Sequence, residues 1–288
     1  MNLLEKVRVF FKLVKFPHTV FALPFALTSA VVAADGVPPL GTLTWILLAM
    51  VSARTAAMAF NRLVDADIDA RNPRTADRAL PRGLVRRRDV GALTIGAAAI
   101  FVLAASRLNA LCFALSPAAL LAILGYSYVK RFTHWTHAVL GAALAIAPLG
   151  AWIAVRGHLG AFPVVLGLAV VLWVAGFDII YACQDVEFDA KHGLLSFPQK
   201  YGVAKALKIS AMFHVGAAIA LVSLVSFPLL GPVYLVGVVI ASALLLYEHT
   251  LVKPQDLSKA NSAFFTVNGV ISIVLMCFAV ADVLLSPK

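Results

Sequence analysis

Acidic residues are scarce in this chain: 14 Asp and Glu among 288 residues, against 24 Lys and Arg. Charged residues make up only 13% and hydrophobic ones 61%, with a mean hydropathy of +0.92. A water-soluble domain of this size could not cover so much apolar surface, so the shortage of charge excludes a soluble fold and makes lipid the solvent. Cysteine is scarce too. Cys112, Cys183 and Cys277 lie in separate apolar runs without paired or metal-ligand spacing, so they read as small buried hydrophobes rather than a disulfide framework or a thiolate metal centre. The polar–apolar alternation of an outer-membrane barrel strand is missing.

What remains is helical and membrane-spanning. Apolar runs long enough to cross a bilayer fall at roughly 17–34, 40–60, 91–106, 109–129, 137–155, 161–183, 208–227, 231–247 and 264–284, nine in all, with 91–106 either a short helix or a tilted one. The basic stretch before the first run superficially resembles a signal peptide, but eight further runs make that run a first membrane helix. No soluble domain is apparent, and residues 1–288 read as a single polytopic membrane domain.

Lys and Arg orient it. Nine spans place Lys6, Arg8, Lys12 and Lys15, the eight Arg from Arg62 to Arg88, Lys130 and Arg131, Lys191, Lys200, Lys205 and Lys208, and Lys253 and Lys259 on one side. Those are 20 of the 24 basic residues; the other side holds Arg107, Arg156 and Lys288, and Arg54 lies within a span. The asymmetry supports the span count and puts the N-terminus in the cytoplasm. A basic cytoplasmic face attracted to anionic headgroups also explains the net charge of +10 without a nucleic-acid partner, since Arg86–Arg88 sit in a juxtamembrane loop. The long connections, 61–90, 130–136 and 184–207, all fall on this basic side, which suits a protein that meets a charged reactant there.

Six of the 14 acids sit in two matching stretches. Asn61-x3-Asp65-x3-Asp69 is echoed by Tyr181-x3-Asp185-x3-Asp189, each continuing an apolar run into a turn-rich basic loop. On an α-helix, positions four apart share a face, whereas Asp67 and Glu187 point elsewhere. Asp178 lies two turns deeper than Asp185, and Arg54 two turns deeper than Asn61. The four-helix interval suggests a duplication that turns the two motifs toward each other. Single clusters of this kind also occur as interfacial anchors; two matched ones, with an Arg and an Asp inside spans, argue for a cation or a reaction.

Converging carboxylates repel one another unless a cation intervenes. A donor set of oxygens without His or Cys favours Mg²⁺ over zinc or copper, and Mg²⁺ keeps positions for water and phosphate oxygens, which makes a diphosphate the natural third party. Arg74, in the turn Asn72-Pro-Arg74, and Lys130-Arg131, after Tyr126-Ser127-Tyr128, are placed to neutralise such a leaving group. Arg86–Arg88, Lys205 and Lys208 read as topology determinants. His134 and His137 read as interfacial polar residues, though proton transfer is open to them. Tyr126, Tyr128 and Trp135 read as interface-belt aromatics, with a site-lining role as the alternative for each Tyr. Pro24, Pro117, Pro148 and Pro163 read as helix starts or kinks.

Over its whole length the chain resembles the UbiA superfamily of intramembrane aromatic prenyltransferases. The matching pieces are N61-x3-D65-x3-D69, R71-N-P-R74-T, S127-Y-V-K130-R131-F-T and Y181-x3-D185-x3-D189. The resemblance implies nine membrane helices in a ring around a lipid-open central cavity, in a bacterial inner membrane, with the active site toward the cytoplasm. It implies Mg²⁺-dependent transfer of a polyprenyl group from its diphosphate to a small aromatic acceptor, with no obligate protein partner. Carried over residue by residue, Asn61, Asp65, Asp69, Asp185 and Asp189 would hold Mg²⁺ and the diphosphate. Arg74, Lys130 and Arg131 would contact the diphosphate, Tyr181 would line the site beside the metal, and Arg54 would face the polar chamber. Asp178 would stabilise the allylic cation or accept the ring proton.

The flanks Phe16–Leu27 and Asp178–Asp189 resemble a bacterial subgroup acting on 4-hydroxybenzoate, some members of which act on 1,4-dihydroxy-6-naphthoate in the futalosine route to menaquinone. Either product is a quinone precursor. Two rivals from other classes are a cation-coupled transporter and an inactive scaffold. Transporter carboxylates sit near the midplane on broken helices, whereas these lie at cytoplasmic helix ends; every motif position is intact, which argues against the scaffold.

Overall fold

The structure, a computed structural model, describes residues 21–285. Lys6, Arg8, Lys12, Lys15, Lys288, the flank 16–20 and the start of the expected 17–34 span lie outside the described residues. Backbone polar groups have no water to turn to in lipid, so apolar runs of this length close their hydrogen bonds internally as helices. Among the described residues, eight helices are long and apolar enough to cross a bilayer. They are α2 (Leu40–Val64), α4 (Arg87–Leu108), α5 (Ala110–Val129), α6 (Thr136–Arg156), α7 (Ala161–Ala182), α10 (Val203–Ser223), α11 (Pro232–Thr250) and α12 (Ala260–Leu285). The ninth run appears as the shorter α1 (Leu23–Ala34), and three short helices, α3 (Ala66–Arg71), α8 (Val186–His192) and α9 (Phe197–Tyr201), lie in the long connections. The expected 91–106 span is a full 22-residue helix. Helix α10 begins five residues before the expected 208, where Gly202 at φ +76° ends the preceding turn.

The described chain divides into two compact units, residues 44–128 and residues 21–43 with 129–285. In the first, the connection after α3 folds back onto the helices that flank it: Leu80 and Val85 pack with Ala59 of α2, Ala66 of α3 and Val90 of α4. In the second, α7 is central, packed between α6 and α10, while α1 lies against α6 and α12, and α12 against α11. Its core is aromatic, with Trp173 and Phe177 of α7 edge-to-face at 4.9 Å and Phe25 of α1 5.1 Å from Trp173. Small residues set the closest helix contacts, as membrane packing favours. A Cβ on Gly141 of α6 would lie 2.8 Å from Val171 Cα of α7, and one on Gly237 of α11 would run into Phe278 of α12.

Polar groups within these spans are tied to one another. Asp282 of α12 accepts from the first backbone N–H groups of α11: Gly231 at 2.5 Å, Val233 at 2.9 Å and Tyr234 at 3.2 Å. Asn268 accepts from Trp173 Nε1 at 2.6 Å and donates to Glu248 Oε1 at 2.8 Å. It also donates to the Ala263 carbonyl, which opens where α12 widens into a π turn at Ala263–Val267.

Candidate functional site

Helix α2 carries Arg54, Asn61 and Arg62 toward the first acidic stretch and ends at Val64. The uninterrupted helix expected through 61–69 is broken at its first acid: Asp65 takes φ −94°, ψ 3°, and α3 restarts at Ala66. The i→i+4 ladder survives the break, with Asp65 N–H bonded to Asn61 O at 2.9 Å and Asp69 N–H to Asp65 O at 2.7 Å. The one-turn spacing therefore holds, and Asn61 Nδ2 donates to Asp65 Oδ2 at 3.1 Å. Asp65 and Asp69 are buried at 3% and 5% exposure. Asp67 is exposed and ion-paired with Arg87, as its helical phase requires.

Two arginines not singled out from the sequence complete this half. Arg78 Nη1 donates to both oxygens of Asp69, at 2.7 and 2.6 Å, and buried Arg62 approaches the same carboxylate at 3.8 Å. Arg62 could have been found, since it precedes Asp69 by seven residues, two helical turns. Arg78 could not, because it reaches Asp69 only through the folded-back connection. Arg74 is exposed on a turn in which its N–H bonds Asn72 Oδ1 at 2.9 Å, while Thr75 Oγ1 ties the same turn to the Asp69 carbonyl at 2.9 Å. Arg54 neighbours Tyr126 and Arg62, and its Nε is buried without a hydrogen-bond partner among the described residues. Tyr126 thus belongs with the charged residues of this half, whereas Tyr128 is half exposed beside Phe60, as an interface aromatic should be.

The second stretch repeats the break. Helix α7 ends at Ala182, a 3₁₀ turn spans Cys183–Asp185, and Asp185 takes φ −109°, ψ 6° before α8 begins. The Tyr181 ring packs tilted against Phe264 at 4.3 Å and edge-to-face with Phe265 at 5.9 Å. Asp189 has Asp185, Lys130 and His137 as its titratable neighbours and accepts from Ser196 Oγ at 3.2 Å. Ser196 also caps α9, and Leu195 N–H bonds the Lys130 carbonyl at 2.7 Å, so the segment after α8 is strapped to the end of the α5–α6 connection. Arg131 follows Lys130 there, half-buried, and Glu187 is exposed.

His137 departs from its expected place. Instead of an interfacial residue it is buried at 2% exposure, with Nδ1 2.7 Å from Asp178 Oδ2 and Nε2 accepting from Phe197 N–H at 3.3 Å. Trp135, two residues earlier, is exposed as expected.

Each half offers oxygen donors beside cationic side chains. Among the described residues no three His, Cys, Asp or Glu side chains cluster as a self-sufficient metal cage. Sparse carboxylates that leave positions to water and phosphate oxygens fit Mg²⁺ better than a cation that needs a full set of protein ligands. Both oxygens of Asp69 accept from Arg78, so that carboxylate is already balanced by a cation.

A model of the UbiA prenyltransferase family matches residues 22–270. A 4-hydroxybenzoate octaprenyltransferase of Vibrio parahaemolyticus is 30% identical over 284 residues, covering 96% of this chain and 98% of that protein. A UbiA homologue from Aeropyrum pernix, solved in its apo form, is 31% identical and superposes with a TM-score of 0.83 over 92% of this chain and 98% of its own. A UbiA homologue from Archaeoglobus fulgidus, solved with GPP and Mg²⁺, shares the fold at 19% identity, with a TM-score of 0.70 over 96% of this chain and all of its own.

Proposed function

Because this chain belongs to the UbiA prenyltransferase family, a family of multi-pass membrane proteins, we propose that it transfers a polyprenyl group from polyprenyl diphosphate to the ring of 4-hydroxybenzoate in quinone biosynthesis. The observation that carries this reading is the repeated break. Asp65 and Asp185 leave the ends of two spanning helices with nearly the same backbone angles, and each is followed by a short helix bearing a second acid. Backbone in this sparsely populated region recurs at active sites. The acceptor is taken from the relatives' shared name, 4-hydroxybenzoate octaprenyltransferase, over most of their length.

In this reading Asn61, Asp65, Asp185 and Asp189 hold Mg²⁺, and Asp69 adds its charge while orienting Arg78 and Arg62. When bound, the metal neutralises the diphosphate and makes it a better leaving group. Arg74, Lys130 and Arg131 bind the diphosphate oxygens and stabilise the charge they gain as the allylic C–O bond breaks. Tyr181 lines the site beside the metal; Arg54, its Nε buried and unbonded, receives an anionic part of a substrate. The charge of Asp178 stabilises the allylic cation, the electron-rich ring attacks it, and the ring then gives up a proton. The chain acts as one domain in a bacterial inner membrane, its N-terminus and site on the cytoplasmic side, where the basic residues gather.

Membranes containing the protein should incorporate labelled polyprenyl groups from the diphosphate into 4-hydroxybenzoate when Mg²⁺ is supplied. Transfer to 1,4-dihydroxy-6-naphthoate alone would move the assignment to the menaquinone route. Transfer to neither would overturn it.

A further inference from the structure

Asp178 has a partner that the reaction above leaves unused. His137, the second residue of α6, faces Asp178 of α7 through Nδ1 at 2.7 Å, and its Nε2 accepts the N–H of Phe197, the first residue of α9. An Nε2 that accepts leaves the ring proton on Nδ1, so the imidazole donates to Asp178 Oδ2. The imidazole is held in place further by the Phe197 ring at 5.7 Å. His137 is enclosed, while the Asp178 side chain keeps 21% of its surface exposed. The other carboxylate oxygen, Oδ1, has no hydrogen-bond partner among the described residues. The pair has one end fixed in packed protein and one end open.

Asp178 precedes Asp185 by seven residues, which on a helix is about 10 Å along the axis. With the diphosphate at Asp185 and Asp189, the allylic carbon lies a few ångströms below, and the attacked ring carbon about 3–3.5 Å beyond that. A hydroxyl on the neighbouring ring carbon then falls near the level of Asp178.

Resting on the transfer reaction proposed above, we propose that Asp178 Oδ1 takes the proton of the aromatic acceptor's ring hydroxyl and that His137 is the positioning residue that turns it there. The phenolic O–H bond breaks toward Asp178 as the ring carbon bonds to the allylic carbon, whose bond to oxygen has gone to the departing diphosphate with its electron pair. The ring carbon then gives its own hydrogen, as a proton, to a diphosphate oxygen, and Asp178 returns the first proton to the ring oxygen. The product regains its aromaticity and its hydroxyl, and one proton leaves with the diphosphate. The hydrogen bond donated from Nδ1 of His137 to Oδ2 holds the carboxylate in one orientation and leaves Oδ1 to accept.

The pair could instead be only a tie between α6 and α7, so the test needs readouts that a tie would not move. Kinetics with 4-hydroxybenzoate and with 4-aminobenzoate, whose ring is activated without loss of a hydroxyl proton, should be compared in detergent-solubilised protein. His137→Leu and Asp178→Asn should each lower kcat for the hydroxy acceptor by about 100-fold, the scale of a lost general base. For the amino acceptor the loss should stay below about tenfold. Activity with 4-hydroxybenzoate should recover as pH rises toward the phenol's own ionisation. His137→Asn, which keeps an N–H near the Nδ1 position, should restore most of the hydroxy-acceptor rate. Asp178→Asn retains an acceptor for His137 and so tests the chemistry if the leucine variant does not fold. Equal losses with both acceptors and no recovery at high pH would overturn the proposal. A wild-type protein that prenylates neither acceptor would overturn the transfer reading beneath it.

Discussion

Arg78 and Asp69 lie nine residues apart across the turn-rich connection after α3, yet Nη1 of Arg78 sits 2.7 and 2.6 Å from the two Asp69 oxygens. The arginine does two things: it balances a buried carboxylate and anchors a connection that also carries Arg74.

Arg78→Ala leaves Asp69 with Arg62, 3.8 Å away, to balance its charge. Loss of such a supporting partner should weaken apparent Mg²⁺ affinity about 10–100-fold. Titrating Mg²⁺ against transfer rate checks this, and Arg78→Lys should recover only part of the loss because a point charge cannot reproduce the guanidinium's geometry.

The first turn of α11 depends on Asp282, which accepts from three of its N–H groups. Asp282→Ala should lower stability in detergent by about 2 kcal/mol, the cost of an N-cap and its orphaned donors. KM for both substrates should not change in the folded fraction, since Asp282 is remote in sequence and role from the acidic stretches.

Glu248 is fully buried, with Oε1 bonded to Asn268 and Oε2 lacking a hydrogen-bond partner among the described residues, His214 Nδ1 being 3.9 Å away. Glu248→Gln keeps an acceptor for Asn268 and removes a buried carboxyl that lacks a hydrogen bond on one oxygen, so the thermal midpoint should hold or rise. Asn268→Leu orphans Trp173 Nε1 and Glu248 together and should cost about 2–4 kcal/mol.

Gly141 lies one turn after His137, against the backbone of Val171, seven residues before Asp178. Gly141→Ala should push α6 from α7, costing about 1–3 kcal/mol of stability. It should also lower the hydroxy-acceptor rate more than the amino-acceptor rate, because it disturbs the His137–Asp178 contact.

Hydropathy and Lys/Arg asymmetry are enough to locate the spanning helices, because lipid permits few other solutions, and helical phase alone separates Asp67 and Glu187 from the working acids. The breaks at Asp65 and Asp185 have no such signal: period arguments assume an unbroken helix, and no Gly or Pro marks either position. The contacts of Arg78 and His137 are illegible in the sequence for a different reason. Arg78 depends on Leu80 and Val85 docking the connection, and His137 meets Asp178 across 41 residues of sequence. Contacts of that range are made by tertiary packing and leave no local pattern.

The most direct measurement of the central claim is prenyl transfer by membranes carrying wild-type, Asp65→Ala or Asp185→Ala protein, each assayed with labelled polyprenyl diphosphate and 4-hydroxybenzoate. Wild-type transfer should stop on chelation and return with Mg²⁺. Either substitution should abolish transfer at equal protein levels and intact fold. Wild-type rates in both variants would contradict the assignment of the two acidic stretches to the diphosphate.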